Sequence, residues 1–159
     1  MRLSSKLAFA AVAVLGLAAL LLVSKRRESE LARGLPPRIV CASSGDALAQ
    51  AGAGATPVLG TGSMAPFIPP AFPGSDPLTT VVAYAVTDPA ANFEGITTGA
   101  LVIYAPRWSK GRVLHQAALR DSGGWIMSGL HNERSETWER VTAANYIGTV
   151  SRVYVWAQP

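Results

Sequence analysis

Apolar and polar positions divide the chain into two regimes. Leu7 to Val23 (LAFAAVAVLGLAALLLV) is unbroken by charge or proline. These seventeen residues would make roughly 25 Å of helix, at the short end of what spans a bilayer. Ser24 to Arg38 is polar, contains Pro36-Pro37 near its end, and reads as a stalk. Beyond it the apolar runs become short. Ile39 to Ala42 opens the folded part. Ser43 to Thr56 is small and Gly/Ala-rich, with one helical turn around Asp46 to Gln50. Pro57-Val58-Leu59 is a short apolar run, and Pro69 to Gly74 is loop. Thr79 to Thr87 (TTVVAYAVT), Ala100 to Tyr104 (ALVIY), Arg112 to Leu119 (RVLHQAAL), Trp125 to Met127, Tyr146 to Val150 and Arg152 to Trp156 read as strands. Asp121-Ser122-Gly123-Gly124 predicts a hairpin turn. Short strands with a turn every ten residues or so predict an all-β barrel or sandwich. The expected organisation is a tail over 1–6, a transmembrane anchor over 7–23, a stalk over 24–38 and one β-rich domain over 39–159.

A cleaved leader competes with the anchor, with Arg2 and Lys6 as its basic start. No small-x-small site separates Leu20-Leu21-Leu22-Val23 from Ser24-Lys25-Arg26-Arg27, so an uncleaved anchor is expected. The flanking charges, Arg2 and Lys6 before against Lys25, Arg26 and Arg27 after, lean slightly toward a cytoplasmic C-terminal domain.

The net charge of +4 is unevenly placed. Residues 1–40 hold seven Lys/Arg and two Glu, whereas residues 41–159 hold seven Lys/Arg and eight Asp/Glu. The basic excess is juxtamembrane, where it meets lipid headgroups. No basic stripe tracks phosphates, so nucleic acid is not an expected partner. Cys41 is the only cysteine, which excludes an intrachain disulfide and a thiolate metal cluster. A small buried apolar side chain is its expected role.

Candidate chemistry begins at Gly60-Thr61-Gly62-Ser63-Met64-Ala65-Pro66. Glycines flank Thr61 and permit a tight turn, and Pro66 directs the exit. Such a turn holds a hydroxyl in the open beside backbone N–H groups, as acyl transfer requires. A serine needs a base, and the chain has two histidines, His115 and His131. In an alternating strand Val113 and His115 share one face, with Leu114 and Gln116 on the other. A half-buried sheet histidine is the plain alternative for His115. Lys110 is a rival base, flanked by Arg107 and Arg112 in what reads as a solvated turn. His131, Asn132, Glu133 and Glu136 fit no metal-ligand spacing, and a polar loop is the stronger reading. Trp108, Trp125, Trp138 and Trp156 are expected in the core or facing a membrane.

The segment GTGSMAP resembles the Ser-Met-x-Pro box of the signal peptidase I family. Ile96 to Tyr104 is similar to that family's Gly-Asp-x-Val strand, with Ala100 where aspartate is usual. Gly111 to Ala118 resembles the segment bearing the general base, which is lysine in most bacterial members and histidine in the endoplasmic-reticulum and archaeal type. Trp125 to Asn132 is similar to the apolar run ending in Gly-Asp-Asn-Asn. Val141-Thr142 and Asn145 to Val150 resemble the closing element. The likeness spans roughly residues 57 to 156 and comes with an anchor in the family's place.

The resemblance implies a signal-peptidase-like β-domain on a transmembrane helix. It implies a membrane-bound serine endopeptidase that cleaves signal peptides or similar membrane-proximal extended segments. Ser63 would be the nucleophile and His115 the general base. Thr61 and the Ser63 amide would form the oxyanion hole; a turn-stabilising hydroxyl is the equal alternative for Thr61. No cofactor or metal is implied. The partners would be a preprotein or peptide and the lipid bilayer, with accessory subunits left open. The domain would lie outside the cytoplasm, against the lean of the flanking charges.

Two departures stand out. Leu130 replaces the aspartate thought to support the base, leaving His131, Glu133, Glu136 or Asp121 as substitutes. Gln116 replaces a basic residue common after the base. The loss at Leu130 favours the alternative expectation, a non-catalytic membrane-tethered domain that binds a peptide or partner. A self-cleaving repressor peptidase shares the fold and a serine-based dyad, but the anchor and the lack of a DNA-binding helix pair speak against it.

Overall fold

The computed structural model describes residues 32–131 and 136–157, with the side chains of 136–138 left aside. The expected anchor over 7–23 therefore lies outside the described residues. Among the described residues no helix is long and apolar enough to cross a membrane.

The domain is mostly β, as its alternating runs predict. Its strands are β1 (Arg38–Cys41), β2 (Thr56–Leu59), β3 (Val81–Thr87), β4 (Leu101–Tyr104), β5 (Val113–Asp121), β6 (Gly124–Ser128), β7 (Glu136–Val141) and β8 (Tyr146–Trp156). They form one curled sheet in the order β2-β3-β8-β4-β5-β6-β7, with β1 beside β8. Strand β8 joins two halves. Its Val150 to Val155 stretch pairs antiparallel with β3, while Tyr146 to Thr149 pairs antiparallel with β4. Strand β1 runs parallel to Val153–Trp156.

Three expectations need correction. The closing segment is one strand, not two: Ser151 lies at a register irregularity against β3 within a continuous strand, and its hydroxyl donates to the Val86 carbonyl at 3.1 Å. Strand β7 was not anticipated, because Glu136, Glu139 and Arg140 mask its period; it is held by pairing with β6. The weak helical turn is a full helix, α1 (Ser44–Ala51). Ser43 caps it by accepting from the Asp46 amide at 3.2 Å, and Gly52 ends it at φ 84°. Ala47 is fully buried beneath α1, against Cys41, Tyr154 and Trp156. The Cys41 thiol is thus buried packing, as expected.

Strand β4 shows how the core is divided. Leu101 and Ile103 join a cluster with Met64, Ile68, Val82 and Val153. Val102 and Tyr104 point the other way, toward Ala117, Trp125, Met127 and Val141. The period of two puts alternate side chains on opposite faces, and the curled sheet buries both. The first cluster carries the segment from Gly60 to Ile68 on top of it.

Candidate active site

The serine turn is pinned at three places. Before it, the Gly60 amide donates to the Thr80 carbonyl and the Gly60 carbonyl accepts from the Ala71 amide, both at 2.9 Å. After it, Met64 and Ile68 are sunk into the first core cluster. Within it, Ala65 N–H donates to the Gly62 carbonyl and Ile68 N–H to the Met64 carbonyl. Gly62 has φ +82°, a left-handed conformation that glycine adopts without steric penalty. The apolar anchors on one side leave Ser63 facing outward, only partly buried.

His115 arrives from β5. It pairs with Val102 in the ladder and is 7% exposed, and its ring lies 6.5 Å from the Tyr104 ring. Its Nε2 comes within 3.2 Å of Ser63 Oγ, across 52 residues of sequence. That distance is at the outer edge of the hydrogen-bond reach a base needs toward its nucleophile. Thr61 Oγ1 lies 3.4 Å from Ser63 Oγ, so the two hydroxyls flank the same point in space.

The remaining sequence candidates fall elsewhere. Asp121 is not brought to His115. It sits at the β5–β6 hairpin, where its carboxylate accepts from Arg140 at 2.9 Å and from the Gly123 amide at 2.9 Å. It stands six positions along the strand from His115, or about 20 Å. The Arg140 guanidinium, helped by the Gly123 amide, holds the Asp121 carboxyl below its usual range. His131 touches the site through its backbone: its N–H donates to the Ser63 carbonyl at 3.0 Å, while the residue itself is exposed. Glu133 and the side chain of Glu136 lie outside the described residues. Leu130 packs against the first core cluster. Lys110 is exposed and does not line the groove described next. No group of three or more metal-ligating side chains is found among the described residues.

Ser63 and His115 open into a groove of about 670 Å³. One wall is β2, from Thr56 to Leu59; the other is Gly111 to Leu114, which leads into β5, and Trp108 also lines the groove. Met64, Ile68 and Ile103 form an apolar floor. Strand β2 ends the sheet, and it pairs only with β3. Strand β5 pairs with β4 over Val113 to Gln116, and its pairing with β6 begins at Gln116. The β2 edge of the sheet therefore borders the groove.

Three contributors were missed at the level of sequence: the β2 wall, Trp108 and the His131 amide. Trp108 was expected in the core or at a membrane, and no local signal distinguishes a groove wall from either. The His131 contact is made by a backbone atom, which residue type does not encode.

Compared with protein-family models, with curated proteins and with solved structures, the chain gives no significant match.

Proposed function

We propose that the protein is a membrane-anchored serine endopeptidase of the signal peptidase I type, acting on extended segments close to the bilayer. The observation that carries this reading is the 3.2 Å approach of Ser63 Oγ to His115 Nε2 at the head of an edge-lined groove. An extended peptide entering the groove would find the sheet edge at β2, as in strand addition. Ser63 Oγ attacks the scissile carbonyl carbon while its proton passes to His115 Nε2. The carbonyl oxygen becomes an oxyanion, held by the Ser63 amide and the Thr61 hydroxyl. The intermediate collapses, the C–N bond breaks, and the amine leaves with the proton from His115. Water then attacks the acyl-serine, again giving a proton to His115, and the acid is released as Ser63 is restored.

The test is cleavage of a signal-bearing preprotein by the purified full chain in detergent. We expect Ser63→Ala and His115→Ala each to lower kcat/KM by about 10⁴-fold or more. Unaltered cleavage by either variant would overturn the assignment. Protease protection on intact cells should place residues 39–159 outside the cytoplasm.

One observation favours a second reading, a peptide-binding domain without hydrolysis. Leu130 is partly buried against the first core cluster and supplies no carboxylate. Tight preprotein binding by the unmodified chain, with no product formed, would establish that reading instead.

A further inference from the structure

The groove is poor in charge. Apart from the dyad histidine, Arg112 is the one ionisable side chain among the described residues that line it. The opposite wall, Thr56 to Leu59, is uncharged, and so is the floor. Arg112 is exposed and makes no ion pair with a described residue. By contrast Arg120 and Arg140, at the far end of the β5–β6 hairpin and on β7, are each paired with a carboxylate. An arginine presents fixed planar donors that match a carboxylate, and it stays charged at every physiological pH.

Its place directly before β5 gives this charge a register. Arg112 precedes His115 by three residues, or about 10 Å of extended chain. A peptide laid along the start of β5 advances at the same rate. Its residue beside Arg112 is thus about three positions from the residue whose carbonyl meets Ser63. The uncharged opposite wall offers a lysine or arginine on the peptide no counter-charge, and Arg112 repels it.

We propose that Arg112 selects the groove's occupant, favouring peptides with an aspartate or glutamate about three residues from the reacting carbonyl. This rests on the groove being a peptide site and goes beyond the dyad, since it assigns a sequence preference to a residue outside it. Arg112 is a specificity residue and not a catalytic one, so its replacement should shift which peptides are taken.

The test separates binding from hydrolysis. The full chain carrying Ser63→Ala, in detergent, is titrated with fluorescein-labelled decapeptides of alanine, valine and serine, in which Asp or Lys is placed at each position in turn. Fluorescence anisotropy reports the Kd. At one position Asp should bind about fivefold tighter than Lys, the scale of a solvent-exposed charge pair. Arg112→Gln should erase that preference, Arg112→Glu should invert it, and added salt should weaken it. Equal binding of the Asp and Lys peptides at every position, a preference that survives Arg112→Glu, or no binding of any peptide would each overturn the proposal. Failure of the endopeptidase reading looks different: the charge preference persists on binding, yet the chain with Ser63 intact cleaves none of the peptides.

Discussion

The two ends of β5 present opposite environments. At its start, Val113 to His115 border an apolar groove in which Arg112 is the one Lys, Arg, Asp or Glu among the described lining. At its end, Arg120 pairs with Glu94 at 2.7 Å and Asp121 pairs with Arg140 at 2.9 Å, all in reach of solvent. Both ends receive a turn from elsewhere in the chain or from the strand itself. The serine turn at the first end is pressed onto buried side chains, whereas the hairpin at the second projects into water. The difference teaches where chemistry can be held still. A hydroxyl and an imidazole kept at 3.2 Å need walls that do not move, and the buried end of β5 has them.

The largest test of that contrast is one substitution made in both turns. A Cβ on Gly60 would lie 2.4 Å from the Ala71 amide nitrogen and 2.7 Å from its Cα, which are backbone atoms and cannot yield locally. Gly60→Ala should therefore cost about 3 kcal/mol of stability and displace Ser63. A Cβ on Gly123 would meet Asp121 Oδ1 at 3.3 Å and Arg140 Cγ at 3.5 Å, the ends or middle of mobile side chains. Gly123→Ala should cost less than about 1 kcal/mol. Urea unfolding of the two variants measures the gap. Equal losses would mean that the serine turn is no more rigidly seated than the hairpin.

A middle-sized effect sharpens the comparison within the buried end. Thr61 Oγ1 stands 3.4 Å from Ser63 Oγ, beyond a good hydroxyl–hydroxyl bond, so it does little to hold Ser63 in the resting site. Thr61→Val keeps the shape and removes the donor. If the hydroxyl serves the oxyanion, kcat on a preprotein should fall by about 10²-fold with KM little changed. A change in thermal stability with kcat intact would make Thr61 a turn-stabilising residue instead.

Much of this contrast was legible in the residues themselves. The alternation Val113, His115 against Leu114, Gln116 predicts a strand with its histidine on one face, and that is where His115 stands. Asp121-Ser122-Gly123-Gly124 predicts the hairpin, and Asp121 pairs with Gly124 across it. The meeting of Ser63 with His115 was read from resemblance and not from periodicity, because no local pattern carries a contact across 52 residues. The base-orienting candidates show the limit most clearly. Asp121 was admitted on residue type alone. A strand of fixed rise carries it about 20 Å from the histidine it would serve. Strand β7 stayed hidden for a related reason: its polar run Glu136-Thr137 and Glu139-Arg140 has no period of its own, and only its pairing partner β6 makes it a strand.

The smallest effect belongs to the solvated end. The Arg140 guanidinium lowers the Asp121 pKa from its ordinary 3.8, with the Gly123 amide assisting. A carboxyl whose folded value is depressed stabilises the fold fully above the unfolded value, and that contribution fades as pH falls through 3.8 toward the lowered value. Because the pair is open to solvent, its contribution is small and salt-sensitive. Asp121→Asn should lower Tm by no more than about 2 °C at pH 7. The difference from the unmodified chain should close as the solution is acidified through 3.8 and on past the lowered value, where both carry a neutral side chain at this position. Preprotein cleavage at pH 7 should not change, since the hairpin lies at the far end of the strand from the groove. A tenfold loss of kcat/KM in Asp121→Asn would break the comparison, for it would mean that the charged end of β5 is felt by the histidine at the other.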